Sequence, residues 1–562
     1  MARTFLILLL FVFCASAQDI LRPIKYYELN ITSGQLNPDC SNYTGHALLV
    51  NDQIPAPAIK ITEGDRVHIT VRNNQPANQG NDSAVTIHFH GVRQYGSTSS
   101  DGVPFLTQYP IQPGEHHVYE FTVVNQAGTY FYHAHVGLQE GTVFGAFIVY
   151  ESDQANPNHH KKLMAGPHEY DEDRLVMLSE WWHRDRVDYE KYLLGPTFSG
   201  IPEADSILLN GRTMYENGQT SSRCKGYSTI DVKRGKTYRL RVVGATIFRT
   251  LSFGIENHKM TIIEVDGDLV KPYQTSVLEV ASGQRFSVLV HADQAPGSEH
   301  TIGTGRRWAE GIPPYSNGMA VLRYNRRHIQ APKYIKNNIT FSKEEPGWDW
   351  DQLEPVYGVD PIARRSPSRT IILRATDATL EDNSTRWYIN GVSYQDPTTP
   401  ILNQVIRNER KPASFHKLID GYDPVLGTYP LQNREIVDFV LQSTRDTSKP
   451  LPCRSHPWHT HGHSHWELAR GEGQYVEERD GNIRNVPYPI AKDVTLVYPT
   501  KDDKYHNGTA TDPYVGCGWS KIRIIADNPG IWAMHCHNTP HMLMGMMIAL
   551  EEAQELISTS KY

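Results

Sequence analysis

The chain has 562 residues, which at about 150 residues for each structural unit predicts roughly three or four units. Its formal net charge of -7 comes from 55 Lys and Arg against 62 Asp and Glu, interspersed along the chain. Without a basic stripe, nothing in this composition favours a nucleic-acid partner or an anionic membrane surface. The 10% aromatic content, 42 Gly and 35 Pro are typical of short strands joined by many turns, so a β-rich protein is predicted.

The N-terminal segment predicts a secreted, extracellular protein. Residues 1–17 combine a basic residue, an apolar run and the small-residue pattern Ala15-Ser16-Ala17, which is typical of a signal peptide. No later stretch reaches the roughly 18 consecutive apolar residues of a membrane span, so no membrane anchor is expected. In a secreted chain the Asn-x-Ser/Thr pattern predicts glycosylated surface turns. It occurs at Asn30, Asn42, Asn81, Asn338, Asn383 and Asn507.

Alternating apolar and polar segments predict an all-β chain. Segments such as AIKITEGDRVHITVRN and YRLRVVGATIFRTLSFGIENH are separated by Gly, Asn and Pro turns at the short spacing of sandwiches or Greek-key barrels. Two polar breaks divide the chain after the signal peptide into three comparable parts, 18–160, 161–330 and 331–562. Each part has its own set of predicted strands.

Four copies of His-x-His carry the main chemical signal. They are His88/His90, His133/His135, His459/His461 and His535/His537. Because side chains on a strand alternate between its faces, the two His of each pair project from one face and can reach adjacent metals. Two pairs lie in the first part and two in the last, so a shared metal cluster requires those parts to meet.

The segment IWAMHCHNTPHMLMGMM predicts a second kind of metal site. Cys536 is followed by His541 and Met546, and His456 lies just before another His-x-His pair. A thiolate, two imidazoles and a weak thioether are the ligands of a blue-copper electron-transfer site. On a strand, Cys536 points away from its two His neighbours, so its copper and theirs lie on opposite sides of one short backbone segment.

Six cysteines leave an odd number once Cys14, in the predicted signal peptide, is removed. With Cys536 assigned to metal, the remaining four can form two disulfides in any of three connectivities. A mononuclear zinc enzyme is the simpler metal alternative, but zinc sites close at four ligands and do not use twelve donors.

The segments HFHG at 88–91, HAH at 133–135, HPWHTHGH at 456–463 and HCHNTPHMLMGM at 535–546 resemble the four signatures of the multicopper oxidases. The resemblance covers nearly the whole mature chain. It implies three cupredoxin-like Greek-key β-sandwich domains, four copper ions, and an enzyme that couples four one-electron oxidations of a small-molecule reductant to the reduction of dioxygen to water.

The resemblance also implies a role for each ligand. The type 1 copper takes His456, Cys536, His541 and axial Met546; the type 2 copper takes His88 and His459; and the type 3 pair takes His90, His133, His135, His461, His535 and His537. Cys40 and Cys224 resemble the disulfide that ties the first domain to the second, which leaves Cys453 to pair with Cys517.

Two positions depart from the family pattern. Thr539 stands where relatives usually carry a carboxylate three residues after the type 1 Cys, so one proton donor to the oxygen intermediate is missing. Asp101 matches the other carboxylate and is expected to carry the proton relay. Tyr109 stands where relatives commonly have a disulfide Cys, so that bridge is expected to be absent.

Three further segments resemble the ascorbate oxidases within this family. They predict substrate contacts from Trp181 or Trp182, from Trp387, and from Arg306 or Arg307. Aromatic walls and a guanidinium suit a small planar anion held near His541.

The substrate-orienting acid of many laccases aligns here with Phe248 or Arg249, which argues against a phenolic donor. Ascorbate or an enediol-like reductant is therefore the expected donor. A laccase acting on diphenols or aromatic amines, a ferroxidase, and a non-catalytic copper-binding cupredoxin protein are the alternatives. The oligomeric state is not predicted.

Overall fold

The computed structural model describes residues 22–76, 83–153, 162–215, 224–309, 318–325, 335, 339–341, 344–448, 452–500 and 514–557. The predicted signal peptide and the sequons at Asn81, Asn338 and Asn507 lie outside these residues. Of the other sequons, Asn42 and Asn383 are exposed and Asn30 is partly buried. Within the described ranges, no helix combines the length and apolar composition that crossing a membrane requires.

Strands dominate the fold and form three successive two-sheet sandwiches, which confirms the predicted all-β class. The first sandwich pairs the sheet β2-β1-β4-β6 with the sheet β3-β8-β7-β5. Its strands are β1 Lys25–Leu36, β2 Gly45–Val50, β3 Ala56–Thr62, β4 Arg66–Asn73, β5 Ile87–His90, β6 His116–Thr122, β7 Gly128–Ala134 and β8 Phe144–Tyr150.

The second sandwich has a six-stranded sheet, β12-β11-β14-β19-β16-β17, and a five-stranded sheet, β13-β21-β20-β15-β18, with the small ribbon β10-β9 beside them. Its strands are β9 Leu163–Ala165, β10 His168–Tyr170, β11 Glu172–Trp181, β12 Ser206–Leu209, β13 Ser228–Val232, β14 Thr237–Gly244, β15 Leu251–Ile255, β16 Met260–Val265, β17 Asp268–Thr275, β18 Leu278–Val280, β19 Arg285–His291, β20 Glu299–Arg306 and β21 Met319–Tyr324.

The third sandwich has a six-stranded sheet, β23-β22-β25-β30-β27-β28, and a five-stranded sheet, β24-β32-β31-β26-β29. Its strands are β22 Arg369–Thr379, β23 Thr385–Ile389, β24 Tyr429–Leu431, β25 Ile436–Asp446, β26 His456–Thr460, β27 His465–Gly471, β28 Ala491–Lys492, β29 Val494–Val497, β30 Tyr514–Ile525, β31 Gly530–Cys536 and β32 Met547–Glu552.

Helices are short and lie between strands. They are α1 Arg186–Leu194, α2 Pro361–Arg364, α3 Ile401–Ile406, α4 Glu477–Asp480 and α5 Thr539–Leu543.

The three sandwiches repeat one connection. In each, an early strand pairs in parallel with a later one that is not its neighbour in the chain: β1 with β4, β11 with β14, and β22 with β25. Parallel neighbours need a crossover connection, which a simple meander of consecutive antiparallel strands lacks.

Each sandwich has its own apolar core, which follows from the alternation seen in the sequence. In β4 the inward side chains Val67, Ile69 and Val71 are fully buried, whereas Arg66 and Arg72 face outward. Side chains that alternate in this way place one apolar row between the two sheets.

The predicted Cys40–Cys224 disulfide is present, with an S–S distance of 2.03 Å, and it ties the first sandwich to the second. The predicted Cys453–Cys517 bridge is present within the third. Cys536 is the free thiol of the described residues, and it is buried. The predicted domain boundaries at residues 160 and 330 fall in ranges outside the described residues, so they stay predictions.

Candidate metal centres

One group of donors lies wholly inside the third sandwich. His456 begins β26, Cys536 ends β31, and His541 lies in α5. The Cys536 sulfur is 3.6 Å from His456 Nδ1 and 3.7 Å from His541 Nδ1, and all three side chains are buried. A thiolate with two imidazoles at this spacing is the trigonal His₂Cys set that blue copper uses.

Met546 lies in the same apolar cluster as Cys536 and is fully buried. Two backbone hydrogen bonds of Met546 tie together the ligand loop, residues 536–546. Met546 N–H donates to His541 O, and Met546 O accepts from Cys536 N–H. This loop carries Cys536, His541 and Met546 as one rigid unit, which suits a site that must hold copper in a fixed geometry.

The eight His of the four His-x-His pairs converge into a second, larger centre. Their ring nitrogens form overlapping groups whose ligand atoms lie within 4.8 Å of one another. These groups are His88, His90 and His459; His90, His133 and His537; and His135, His461 and His535. Four of these His come from the first sandwich and four from the third, so the two sandwiches meet at the centre, as the sequence predicted.

Strand register explains how the pairs come together. In the first sandwich β5 lies antiparallel to β7, with His88 opposite His133. In the third, β26 lies antiparallel to β31, with His459 opposite His535. Because directly opposite side chains on paired strands lie close together, each sandwich contributes a preformed set of imidazoles.

Backbone carbonyl oxygens fix the orientation of several of these rings. The Nδ1–H group donates from His88 to Asp101 O at 2.7 Å, from His459 to Asp493 O at 2.8 Å and from His535 to Cys536 O at 3.1 Å. Because a carbonyl oxygen only accepts, Nδ1 carries the proton and Nε2 of each ring is left as the metal ligand. The Nε2 atoms of His88 and His459 are 3.5 Å apart.

Two buried carboxylates orient further rings. Asp101 Oδ2 lies 2.9 Å from His461 Nδ1, and Asp493 Oδ1 lies 3.1 Å from His90 Nε2. Asp493 is held in turn by Arg285 of the second sandwich, whose Nη2 donates to Asp493 Oδ2 at 2.6 Å. All three sandwiches therefore take part in shaping the centre.

The donor set fits copper. Within the described residues, the buried Nε2 atoms of His133 and His135 have no hydrogen-bond partner, which is costly unless a metal binds them. Burial lowers the pKa of His535 to about 4 and that of His456 to about 3, so these imidazoles are neutral and ready to bind metal at pH 7. Burial also raises the pKa of the Cys536 thiol, so metal must displace a proton there.

The two centres lie on opposite sides of one three-residue segment. The Cys536 side chain faces His456 and His541, whereas its neighbours His535 and His537 belong to the larger centre. A covalent path of a few bonds therefore joins the two centres, as the alternation of side chains along a strand predicted.

Glu140 supplies a carboxyl group that sequence reasoning missed. Thr539, at the position where the family usually has an acid, donates its hydroxyl to Glu140 Oε2 at 2.8 Å. Glu140 Oε1 lies 3.5 Å from His133 Nδ1 and 3.7 Å from His537 Nε2. Burial raises the Glu140 pKa to about 8. Nothing in the sequence signalled this contact, since Glu140 and Thr539 are 399 residues apart.

Of the predicted substrate residues, Trp387 lies at the smaller centre. Its ring is 4.8 Å from that of His541 and 5.1 Å from that of His456. The bond from Trp387 N–H to Met544 O, at 2.8 Å, fixes β23 against the ligand loop.

The other predicted substrate residues make contacts within the fold, and their part in substrate binding stays a prediction. Trp182 packs in the core of the second sandwich, and Trp181 packs against Ala47 and Leu208. Arg306 and Arg307 are ion-paired, at 3.6 Å to Glu203 and 2.7 Å to Glu279 respectively.

Phe248 and Arg249 follow β14 and approach the smaller centre. The Phe248 ring is 6.4 Å from that of His541, and the Arg249 guanidinium is ion-paired with Glu203. Tyr109 is about half exposed. One cation beside the smaller centre, Arg454, was not singled out from the sequence although it lies two residues before His456.

Comparisons with known proteins agree with this geometry. Three family models described as multicopper oxidase match residues 30–154, 172–327 and 394–555. The L-ascorbate oxidase of Cucurbita maxima is 31% identical over 95% of this chain and 91% of its own length. The chain is also similar to the crystal structure of the laccase from Botrytis aclada, with a TM-score of 0.74 and 26% identity over 95% of this chain and 89% of that one.

A second solved structure, Fet3p, a multicopper oxidase that functions in iron import, has a TM-score of 0.72 and 26% identity over 95% of this chain and 91% of that one. Domain matches along most of the chain and an array of donors that can hold metal lead to one assignment. The chain belongs to the multicopper oxidases, copper-binding enzymes that oxidise a small-molecule reductant with dioxygen.

Proposed function

We propose that the two centres hold four copper ions. His456, Cys536, His541 and Met546 would hold the type 1 ion, and His88 and His459 would hold the type 2 ion. The type 3 pair takes the two remaining groups, His90, His133 and His537 for one ion and His135, His461 and His535 for the other. The observation that carries this proposal is the sorting of eleven donors into these groups, with Cys536 on one side of its strand and its His neighbours on the other.

The proposed reaction is the transfer of four electrons, one from each of four donor molecules, to dioxygen. With four protons, one dioxygen gives two molecules of water. Copper supplies the one-electron redox steps at both centres. The chain places the His456 and His541 imidazoles beside the Cys536 sulfur and provides a short covalent path from that sulfur to His535 and His537.

Buried carboxyl groups are placed to handle the protons. Asp101 Oδ2 accepts a hydrogen bond from His461, and Glu140 Oε1 lies near His133 and His537. We assign the proton relay to Asp101 together with Glu140. Glu140 would take the role of the carboxylate that relatives usually carry at the position of Thr539. A positioned acid at hydrogen-bond range is what general acid catalysis needs.

Ascorbate or a similar enediol is the proposed electron donor. Trp387 against His541 and His456 supports it, because an aromatic wall beside a type 1 ligand suits a small planar reductant. The similarity to plant L-ascorbate oxidases supports it further. Secretion is proposed from residues 1–17 and from the two disulfides, which persist in oxidising compartments.

Oxygen uptake by the copper-loaded protein tests this function. Ascorbate, a diphenol and ferrous ion are supplied separately at equal concentration, and donor oxidised and dioxygen consumed are both measured. We expect fastest uptake with ascorbate and about four one-electron equivalents for each dioxygen, without peroxide. Preference for the diphenol or for iron would overturn the donor, and about two equivalents with peroxide would overturn the reduction to water.

A further inference from the structure

A cleft of about 590 Å³ lies on the outer face of the third sandwich, between the end of α2 and the loop of residues 477–489. In β25 and β30 the core takes Phe439 and Ile522, so their strand neighbours Asp438 and Arg523 point to the other face and form the floor of the cleft. None of its lining residues is a candidate copper ligand. Its volume is that of a pocket that holds a small molecule or one unit of a longer chain.

The floor of the cleft is an ion pair that also holds one wall in place. Arg523 Nε and Nη2 donate to the two carboxylate oxygens of Asp438 at 2.6 and 2.9 Å, and both side chains are buried. Arg523 Nη1 also donates to the carbonyl oxygens of Ala363, at 3.0 Å, and of Arg365. The end of α2, and with it Arg364 and Arg365, is therefore fixed on a buried guanidinium.

The opposite wall is fixed by cations that bind its backbone. Lys521 Nζ donates to Gly481 O at 2.8 Å, and Arg484 Nη1 donates to Gly481 O at 3.1 Å and to Ile483 O at 2.7 Å. A ligand that enters between two fixed walls does not have to order them, so less of the binding free energy is lost in rearranging the protein. The cleft is therefore preorganised for binding.

Positive charge dominates the rim of this cleft. Arg364 and Arg365 are exposed, and in the described part of the chain neither guanidinium donates a hydrogen bond or forms an ion pair. Arg484, on the other wall, lies 3.7 Å from Asp438 Oδ2, which Arg523 already holds. Since the whole chain has a formal net charge of -7, this group of three cations is a local exception that attracts anions.

An acid in the same cleft limits the charge density of the anion. The Glu477 carboxylate lines the cleft and accepts from the Tyr475 hydroxyl at 2.5 Å, and no ion pair among the described residues neutralises it. A sulfated or phosphorylated polymer with several charges on each unit is repelled by this carboxylate. A ligand with one carboxylate on each unit is repelled less, and its two oxygens match the fork of a guanidinium.

The remaining polar groups favour a sugar over a peptide. Main-chain carbonyl oxygens of both walls are already bound by Arg523, Arg484 and Lys521, so a peptide finds few main-chain partners. The exposed side chains of Ser366 and Asn482 can exchange hydrogen bonds with hydroxyl groups. Three proline rings in the lining add apolar surface for the C–H face of a sugar ring.

We propose that this cleft binds carboxylated sugars, with the carboxylate on the rim arginines and the hydroxyl groups on Ser366 and Asn482. The contact is non-covalent and uses none of the metal ligands, so it goes beyond the proposed function. When the sugar belongs to an acidic polysaccharide, the cleft attaches the enzyme to that polymer and leaves turnover unchanged. A free sugar acid has the same chemistry, and the experiment separates the two sources.

Binding of the copper-loaded protein to polygalacturonate, measured by titration calorimetry at about 50 mM salt, tests this inference. We expect Arg364→Ala combined with Arg365→Ala to raise Kd about tenfold and to leave oxygen uptake unchanged. Combining Lys233→Ala with Arg234→Ala is the matched control, because it also removes two adjacent exposed cations, from the turn after β13 in the second sandwich. We expect this control to change Kd less than about twofold.

A further pair of substitutions separates charge from shape. Arg364→Lys combined with Arg365→Lys keeps both charges and loses the planar forks, so Kd should rise about threefold. Equal losses in the two alanine variants, or no binding of polygalacturonate by the wild type, would overturn the inference. Polyglutamate that binds as tightly as polygalacturonate would overturn the sugar and assign the cleft to acidic peptides.

Competition identifies the source of the sugar. Free galacturonate that displaces the protein as well as the polymer does, at equal carboxylate concentration, assigns the cleft to a free sugar acid. Displacement by the polymer and its oligomers alone assigns it to a polysaccharide. Both results support a site for carboxylated sugars, whereas displacement by neutral dextran would contradict the role of the rim arginines.

Discussion

Single side chains set the protonation of the metal centres before copper arrives. Burial lowers the pKa of His535, in the larger centre, to about 4, so this ring binds metal without releasing a proton at neutral pH. Cys536 is the opposite case, because burial raises the pKa of its thiol. The two centres should therefore respond differently to acid.

Copper binding at Cys536 should release one proton. Its raised pKa keeps the thiol protonated across pH 5 to 8, so the type 1 affinity should fall about tenfold for each unit by which pH is lowered. Titration of the copper-free protein with cuprous ion in weak buffer measures the release, with Cys536→Ser as the control. Equal proton release by both proteins would contradict this account.

Glu140 should matter for turnover and little for copper binding. Glu140→Thr removes the buried carboxyl group beside His133 and His537, and we expect kcat to fall about tenfold or more with the donor KM and the copper content unchanged. The measurement is kcat at constant pH and saturating donor.

A second change provides the control for that experiment. Combining Glu140→Thr with Thr539→Glu moves the carboxyl group to the other end of the hydrogen bond that now joins the two residues. We expect the double variant to regain part of the lost kcat. A single variant with wild-type kcat would show that Glu140 has no part in proton delivery.

For single residues, the sequence predicted the candidate metal ligands but not several of the residues that contact them. His-x-His pairs and the Cys536 segment are local patterns, so the residue types and spacing were enough. Glu140 and Asp493 meet their sites through contacts between distant parts of the chain, and no local pattern distinguishes them from other charged residues. The role of Arg306 and Arg307 in binding the reductant stays a prediction; in the fold, Arg306 lies near the partly buried Glu203 and Arg307 is paired with the buried Glu279.

The pairing of strands places the candidate metal ligands next to one another. The alternation rule predicted correctly that Cys536 and its neighbours face opposite ways, because a strand permits nothing else. It could not predict that β5 pairs with β7 or β26 with β31, since pairing depends on the whole sheet. A turn of the second sandwich adds a contact that no strand pattern contains.

Gly283, in the turn before β19, packs against His90 and His537, which are two of the proposed type 3 ligands. A methyl group there would lie 2.7 Å from His90 Cε1 and 3.0 Å from His537 Cδ2, with φ at +84°. We expect Gly283→Ala to displace these rings and to lower the copper content by about one ion per chain. Copper analysis and oxygen uptake measure the loss.

Gly235→Ala is the matched control for that substitution. Gly235 has the same φ of +84°, and nothing lies within 4 Å of an added methyl group. The backbone strain is therefore the same, and the ring contacts are absent. Similar copper loss in both variants would mean that backbone strain, and not contact with His90 and His537, explains the effect.

In the whole molecule, the larger centre lies where the first and third sandwiches meet. Three parts, each with its own strands, could be predicted from strand spacing and two polar breaks, and the resemblance implied a sandwich for each. The need for the first and third to meet followed from the distribution of the His pairs. The second sandwich contains none of the four His-x-His pairs, but its Arg285 reaches Asp493 and thereby His90.

Removal of copper should weaken the junction between the first and third sandwiches. Copper bound by His of both sandwiches stabilises only the assembled state, so calorimetry of the metal-free protein should show a Tm lower by roughly 5–10 °C. Cys536→Ser empties a site that lies inside the third sandwich, so we expect a smaller decrease. An unchanged Tm after complete removal of copper would argue against a shared centre.

Copper content per chain tests the central claim most directly, measured by elemental analysis of the loaded wild type and of Cys536→Ser. The account predicts about four ions in the wild type and about three in the variant, with the blue colour lost and the other ions retained. A wild type that holds two ions or fewer, or a variant that keeps its blue colour or loses every ion, would contradict the division into one type 1 centre and one centre of three.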